Sequence, residues 1–184
     1  MTGLIDKETF LSKKPYPHVV MDNFLDEEVA TQILERLCTE SFEYKESDLF
    51  TFKQTPMLQY DDFLGFLREV LQPVVENLTG KKIGEIDMHG SLYEDTDHLL
   101  CHDDQLEDRV IAYLLYLSDV DEADGGALTL YDEVNGKPGS VVKRVQPRFN
   151  RLVIFEVSDV SFHAVEEVIA DTQRIAIGGW FHAK

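Results

Sequence analysis

The feature that most constrains this chain is a run of short strand-like segments that begins after Gly80 and continues almost to the last residue. These segments are rich in β-branched and aromatic residues, and loops rich in Gly, Asp, Asn and Pro separate them. Seven or eight strands within about 100 residues favour a sandwich, a barrel or a jelly roll. The predicted strands cover residues 83–93, 98–102, 110–117, 127–131, 141–145, 152–157, 162–165 and 174–181.

The N-terminal part has a different pattern, because its apolar side chains recur at helical spacing. We predict one helix that begins at Asp26 and a second over about residues 60–78, with Pro73 kinking or dividing the second. The chain of 184 residues has the length of one domain. We therefore expect a single domain over residues 1–184, mainly β with flanking helices. In this domain, about residues 1–80 support a strand-rich core at about 83–182.

The charge balance limits the partners of the protein. The chain has 17 Lys and Arg and 35 Asp and Glu, so its net charge is 17 − 35 = −18. Such a surface disfavours direct binding to nucleic acid, whereas a basic protein partner is compatible with it. Acidity that merely keeps a protein soluble is the competing explanation.

The sequence also carries no sign of a membrane or secretory location. It has no apolar run near the ~20 residues that span a bilayer, and residues 1–8 lack the features of a secretory signal. Two cysteines, Cys38 and Cys101, do not form a disulfide framework and are expected to be free thiols. We expect a protein of the cytoplasm, the nucleus or both, without membrane contact.

The chemistry is expected around His102 and Asp104, at the end of a predicted strand. In an extended strand, residues two apart point to the same face, so these two side chains should lie side by side while Asp103 points away. A second imidazole from a distant strand would complete a facial triad of two histidines and one carboxylate, as in non-heme Fe(II) oxygenases. His163 is the best candidate for that imidazole. An isolated His-x-Asp motif is common, so the downstream residues matter.

Arg174 follows His163 by 174 − 163 = 11 residues and begins the last predicted strand. Strand alternation places it on one face with Ala176, Gly178 and Trp180. A lone cation on a face of mostly small residues needs an anionic partner, because an unpaired buried charge is costly. A dicarboxylate co-substrate would supply that partner, and the planar guanidinium suits a carboxylate. The remaining histidines are interpreted as structural or surface residues: His18, His89, His98 and His182.

These residues belong to a longer series of motifs that resembles a known family. The series comprises His-Asp-Asp at 102–104, Tyr-Leu-Leu-Tyr-Leu at 113–117, Gly-Gly-Ala-Leu at 125–128, Phe-Glu-Val-Ser at 155–158, Phe-His-Ala-Val at 162–165 and Arg-Ile-Ala-Ile-Gly-Gly-Trp-Phe at 174–181. It resembles the prolyl-4-hydroxylase-type branch of the 2-oxoglutarate/Fe(II) oxygenases. Within that branch it is most similar to the ribosomal prolyl hydroxylases, which modify a proline of the decoding-centre protein of the small ribosomal subunit.

The resemblance implies a double-stranded β-helix, or jelly-roll, core and a dioxygenase that consumes 2-oxoglutarate and O2 and releases succinate and CO2. It implies that Arg174 pairs with the distal carboxylate of 2-oxoglutarate and that the hydroxyls of Tyr93 and Tyr116 contact the same molecule, although both rings could instead fill the core. Ascorbate is a candidate reductant. The implied substrate is a prolyl residue of a basic protein, namely a ribosomal protein of the small subunit. The implied Fe(II) ligands are His102, Asp104 and His163.

Three other functions remain open at this point. The chain could be an oxygenase of the same fold that acts on another peptide or on a small molecule. It could be a non-catalytic β-helix domain used for binding, although a complete triad with Arg174 argues against this. A cupin-like metal-binding module is weaker still. Residues 42–55, between the two predicted helices, are interpreted either as a lid over the substrate site or as a scaffold hairpin. The two-domain members of the subgroup carry a second β-helix domain, whereas this sequence ends at Lys184.

Overall fold

A computed structural model of the chain describes residues 5–106 and 108–184. In these residues, four α-helices lie mostly before the strands: α1 (Lys7–Ser12), α2 (Glu27–Leu37), α3 (Asp61–Phe66) and α4 (Gln72–Thr79). The strands are β1 (His18–Met21), β2 (Glu43–Ser47), β3 (Phe50–Gln54), β4 (Ile83–Ile86), β5 (His89–Tyr93), β6 (His98–His102), β7 (Arg109–Tyr116), β8 (Leu128–Val134), β9 (Lys137–Val145), β10 (Arg151–Glu156), β11 (His163–Val165) and β12 (Arg174–Ala183).

The strands form one antiparallel sheet that folds back on itself. Its order is β1-β10-β7-β12-β5-β3-β6-β11-β8-β9, with β2 added to β3 and β4 added to β12. Side chains of β7, β10 and β12 share a buried cluster with Leu128, Leu130 and Val145 of β8 and β9, so the two halves of the sheet face each other. This confirms the predicted double-stranded β-helix.

Strand β3 joins the two halves. Lys53 and Gln54 pair with β5, and Phe50 and Thr51 pair with β6. Together with β2 it forms a hairpin over most of the segment 42–55. Of the two interpretations of that segment, the scaffold hairpin is the one that the structure shows.

Alternation along β7 divides the core into an inner and an outer layer. Tyr113 and Leu115 pack on the outer side with the helices, whereas Ala112 and Tyr116 pack inside the barrel. The outer position of Tyr113 is secured by its hydroxyl, which donates to the Asp87 carbonyl oxygen over 2.8 Å. The inner layer therefore contains the side chains that strand alternation points into the space between the two halves of the sheet.

The predicted helix at 60–78 is present but divided. A π-helical segment at Leu67–Leu71 separates α3 from α4, and Pro73 is at the start of α4. Because proline has no N–H and its ring collides with the carbonyl of residue i−4, the regular bonding pattern cannot continue through it. Gly80 ends α4 in the left-handed conformation, with φ of 71°. None of the helices in the described residues is long and apolar enough to cross a membrane.

The predicted strand at 83–93 is interrupted at Asp87, so it forms β4 and β5. Asp87 bends towards β12, where its Oδ1 accepts the Trp180 backbone N–H over 2.6 Å. Its own N–H donates to the Trp180 carbonyl oxygen over 3.2 Å. This approach brings the Asp87 backbone against Gly179, where a Cβ would overlap the carbonyl oxygen. A glycine is therefore required at this point of β12.

We expect Gly179→Ala to destabilise the protein by about 2–3 kcal/mol or more, because the added methyl group meets backbone rather than a movable side chain. Gly65→Ala is the matched control. Gly65 lies in α3 with open space where its Cβ would be, so alanine there should stabilise by about 0.5–1 kcal/mol. Urea denaturation measures both changes. Equal effects of the two substitutions would contradict the packing argument.

Candidate active site

The centre of the site is the pairing of His102 with His163. His102 ends β6, His163 begins β11, and the two residues are opposite each other in the antiparallel ladder. Their ring centroids are 4.2 Å apart. Further along, Leu99 is opposite Val165, so β6 has one more residue than β11 between the two pairs. This bulge lets both Leu99 and His102 face the interior despite their odd spacing.

Backbone carbonyls orient both imidazoles. His102 Nδ1 is 2.9 Å from the Leu100 carbonyl oxygen, and His163 Nδ1 is 2.7 Å from the Ser161 carbonyl oxygen. Since a carbonyl oxygen can only accept, each Nδ1 carries the hydrogen and donates it. In the neutral rings, the lone pairs are therefore on the Nε2 atoms.

Asp104 completes the group, but for a different reason from the one predicted. It is beyond the end of β6 in the left-handed conformation, with φ of 62°, so strand alternation does not place it. The turn still directs its carboxylate inwards: Oδ1 is 3.2 Å from His102 Nε2, and Oδ2 is 3.3 Å from His163 Nε2. Asp103 is not part of the group and accepts the Gln105 N–H instead.

The donor set suits a divalent metal ion. One ligand atom from each of His102, Asp104 and His163 lies within 4.8 Å of the other two. Burial acts to raise the pKa of the Asp104 carboxyl, but hydrogen bonds and charge from the two histidines outweigh it and shift the pKa well below the usual range. The carboxylate is thus ionised at neutral pH. When both imidazoles are neutral, the lone pairs of the three ligand atoms face one another and repel unless a metal ion, or a proton on an imidazole, lies between them.

Arg174 lies deep in the same interior, with 1% of its surface exposed. Its Nε donates to the Gly126 carbonyl oxygen over 2.9 Å, and Nη2 approaches the Tyr116 hydroxyl at 3.4 Å. The guanidinium carbon is 4.7 Å from the ring centroid of Tyr93. No carboxylate of the described residues is in an ion pair with it. The structure thus brings both predicted tyrosines to a buried cation that lacks an anionic partner.

Two parts of the site were missed by sequence reasoning. The Gly125–Gly126 pair was noted only as part of the family motifs, yet the Gly126 carbonyl oxygen accepts a hydrogen bond from Arg174 Nε. Both glycines have positive φ, which the sequence alone does not show. Arg109, whose guanidinium carbon is 3.4 Å from the Trp180 ring centroid, received no role at all. Its spacing from Asp104 follows no helix or strand period, so no pattern indicated it.

A cavity of about 160 Å³ contains the triad and reaches Arg174. Phe52 of β3 and the predicted inner residue Trp180 line it, and Phe52 stacks on Tyr93 with centroids 4.9 Å apart. A larger groove of about 560 Å³ between α2 and α3 has none of the triad residues in its walls. The small cavity is therefore where metal and co-substrate chemistry can meet.

The other histidines have different surroundings. His18 is buried in β1, and burial lowers its pKa. His182 pairs with Asp87 over 3.1 Å, and His98 contacts Thr51. These contacts agree with structural roles. His89 differs, because it contributes to the wall of the active-site cavity.

Fold and donor set together define a metal-dependent oxygenase scaffold, and residues 88–182 match the family model described as 2OG-Fe(II) oxygenase superfamily. The chain belongs to this superfamily. It is 40% identical over 183 residues to the prolyl 3-hydroxylase OGFOD1 of Xenopus laevis, covering 94% of this chain. It is 34% identical over 203 residues to the prolyl 3,4-dihydroxylase OGFOD1 of Ostreococcus tauri, covering 92% of this chain.

Both relatives are much longer, since the matched region spans 36% and 38% of their lengths. Among solved structures, a Pseudomonas putida prolyl-4-hydroxylase superposes with a TM-score of 0.81 at 17% identity, and all of each chain is covered. At that identity the likeness concerns the fold alone.

We expect Asp104→Ala to abolish tight binding of Mn(II), because it removes the only negatively charged donor of the triad. The loss should exceed the ~10- to 100-fold that changes around a metal site cause. Isothermal titration calorimetry gives the affinity. Asp103→Ala is the control and should bind Mn(II) as the wild type does. Loss of affinity in the control, or none in Asp104→Ala, would contradict the assignment.

Proposed function

We propose that this chain is an Fe(II)- and 2-oxoglutarate-dependent dioxygenase that hydroxylates a prolyl residue of a protein, releasing succinate and CO2. The observation that carries the proposal is the coexistence, in one small cavity, of a metal donor set and a buried arginine that forms no ion pair with any carboxylate among the described residues. A metal-binding module needs only the first. An oxygenase that uses a keto-diacid needs both.

His102, Asp104 and His163 would hold the iron. The hydrogen bonds from Nδ1 to the Leu100 and Ser161 carbonyls keep both imidazoles in the tautomer that presents Nε2. When bound there, Fe(II) supplies the O2 activation needed to oxidise an unactivated C–H bond. The protein contributes ligand orientation and leaves part of the coordination sphere for co-substrates.

Arg174 would bind the distal carboxylate of 2-oxoglutarate. Because Nε is held by Gly126 and Nη2 is near the Tyr116 hydroxyl, the guanidinium has a fixed orientation before the ligand arrives. Tyr93 is opposite Arg174 in the ladder between β5 and β12. Burial raises the pKa of both tyrosines, so their hydroxyls keep their protons and can donate to a carboxylate.

Apolar side chains form much of the cavity wall. Phe52, Leu128, Phe155 and Val165 line it and supply apolar surface. Such a lining strengthens the pairing of Arg174 with a carboxylate, and it limits side reactions of a strong oxidant.

The names of the relatives and the charge of the chain support the substrate class. Both relatives are named for prolyl hydroxylation, with C3 of the ring in each name. The net charge of −18 favours encounter with a basic protein. Together with the resemblance to ribosomal prolyl hydroxylases, this supports a small-subunit ribosomal protein of the cytoplasm or nucleus as the substrate. The names of both relatives support C3 as a position of hydroxylation, and ascorbate would serve as a reductant for the iron.

We expect Arg174→Gln to raise the KM for 2-oxoglutarate by about 10- to 100-fold, the value of a lost charge-assisted hydrogen bond. Mn(II) affinity should stay unchanged, because Arg174 is not a metal ligand. Succinate release at varied 2-oxoglutarate measures the KM. Arg144→Ala is the control: Arg144 lies on the exposed strand β9, outside the cavity wall, and is paired there with the Glu166 carboxylate. An unchanged KM in Arg174→Gln would refute the assignment.

We expect the ribosomal protein, incubated with enzyme, Fe(II), 2-oxoglutarate, ascorbate and O2, to gain the mass of one oxygen atom on a proline. Tandem mass spectrometry locates the site, and amino-acid analysis distinguishes 3- from 4-hydroxyproline. The gain should vanish with His102→Ala, and the rate should fall as salt rises. Efficient oxidation of another peptide or of a small molecule instead would transfer the assignment to a different substrate. Absence of any 2-oxoglutarate turnover would refute the enzyme.

A further inference from the structure

Trp180 and Arg109 form a stacked pair beside the carboxylate of the triad. Trp180 Nε1 donates to Asp104 Oδ2 over 3.0 Å. The guanidinium carbon of Arg109 is 3.4 Å from the centroid of the indole ring, and its Nη1 is 3.9 Å from Asp104 Oδ1. Both side chains therefore touch the residue that supplies the negative charge of the site.

The indole contact makes the two oxygens of Asp104 unequal. Each oxygen lies near one imidazole, Oδ1 at 3.2 Å from His102 Nε2 and Oδ2 at 3.3 Å from His163 Nε2, but Oδ2 also accepts the indole N–H. Oδ1 lies 3.9 Å from Arg109 Nη1, which is beyond hydrogen-bond distance. A hydrogen bond occupies a lone pair of the oxygen that accepts it and fixes the plane of the carboxylate. A carboxylate that binds through both oxygens uses two positions around a metal, whereas one that binds through a single oxygen uses one.

We propose that Trp180 is a positioning residue whose indole N–H holds Asp104 Oδ2, so that the carboxylate binds the metal through Oδ1 alone. This inference rests on the metal site of the proposed function and adds the means by which a coordination position is kept for the co-substrates. Arg109 contributes by covering one face of the indole.

The backbone around Trp180 is built to hold the ring in this place. Its N–H and carbonyl oxygen both bond to Asp87, at the break between β4 and β5. Gly179 allows that close approach. Arg109, with 17% of its side chain exposed, fills the outer side of the indole. The ring is thus held by its backbone, by its face and by its nitrogen.

Trp180→Phe tests the inference, because it keeps a six-membered aromatic ring for Arg109 and removes the indole N–H together with the five-membered ring. We expect Mn(II) affinity to fall by about 10- to 100-fold, with no change in the melting temperature of the metal-free protein. The d–d absorption spectrum of bound Co(II) should also change, because the released carboxylate alters the coordination. Tyr131→Phe, which removes from an aromatic ring outside the cavity wall the hydroxyl that accepts a hydrogen bond from Thr129 Oγ1, should change neither.

A second measurement needs no variant. Trp180 is the only tryptophan of the chain, so all tryptophan emission comes from the ring that contacts Asp104. We expect Zn(II), which has no unpaired electrons, to shift that emission and to saturate at one ion per chain. Emission that stays constant while calorimetry shows Zn(II) bound would overturn the inference, even if Trp180→Phe fails to fold.

The outcomes distinguish the role of Trp180 from the proposed metal-dependent function. If the wild type binds Mn(II) and turns over 2-oxoglutarate, but Trp180→Phe has the same affinity and the same Co(II) spectrum, only the role of Trp180 is overturned. A variant that melts earlier without metal and binds Mn(II) normally shows a purely structural residue and overturns it as well. If the wild type binds neither Mn(II) nor Co(II), the proposed function falls together with it.

Discussion

The direct pairing of His102 with His163 across β6 and β11 is the constraint on which the site depends. The bulge in β6 turns the first imidazole inwards, and two carbonyl oxygens set the tautomer of both rings. Once both Nε2 atoms converge, the ionised carboxylate of Asp104 leaves a position that only a cation can satisfy. The geometry of the candidate metal site is therefore set by the backbone, through the ladder for the two histidines and through the turn after β6 for Asp104.

The second determinant is the isolation of Arg174 from every carboxylate of the described residues. A charged side chain that has no partner is normally excluded from a protein interior, because nothing offsets the free-energy cost of its desolvation. Here the Gly126 carbonyl and two tyrosine rings reduce the desolvation cost of the Arg174 guanidinium without neutralising its charge. A site of this kind stabilises the folded protein less than an ion pair would. The favourable free energy of pairing the guanidinium with a carboxylate is gained instead when a ligand binds.

Sequence reasoning succeeded where one local rule decides the outcome. Alternation correctly placed Arg174 and Trp180 on the same face of β12, and both line the small cavity. Asp104 was named through the wrong rule, since a left-handed turn beyond β6 positions it. The division of β4 from β5 and the stack of Arg109 on Trp180 could not be predicted, because they arise where distant segments meet and leave no periodic signal. The roles of the triad, of Arg174 and of the two tyrosines remain predictions until metal and co-substrate binding are measured.

The two imidazoles come from positions that are 163 − 102 = 61 residues apart, on strands β6 and β11, which become neighbours only when the chain between them has folded. An unfolded chain cannot hold these donors together, so a metal ion would bind the native state in preference to the unfolded chain. By mass action, an ion present at 100 times its dissociation constant stabilises the native state by about 2.7 kcal/mol. That is a large share of the 5–15 kcal/mol typical of a domain. The supply of metal would thus set the lifetime of the folded protein as well as its chemistry, and chains deprived of metal would unfold and be degraded first.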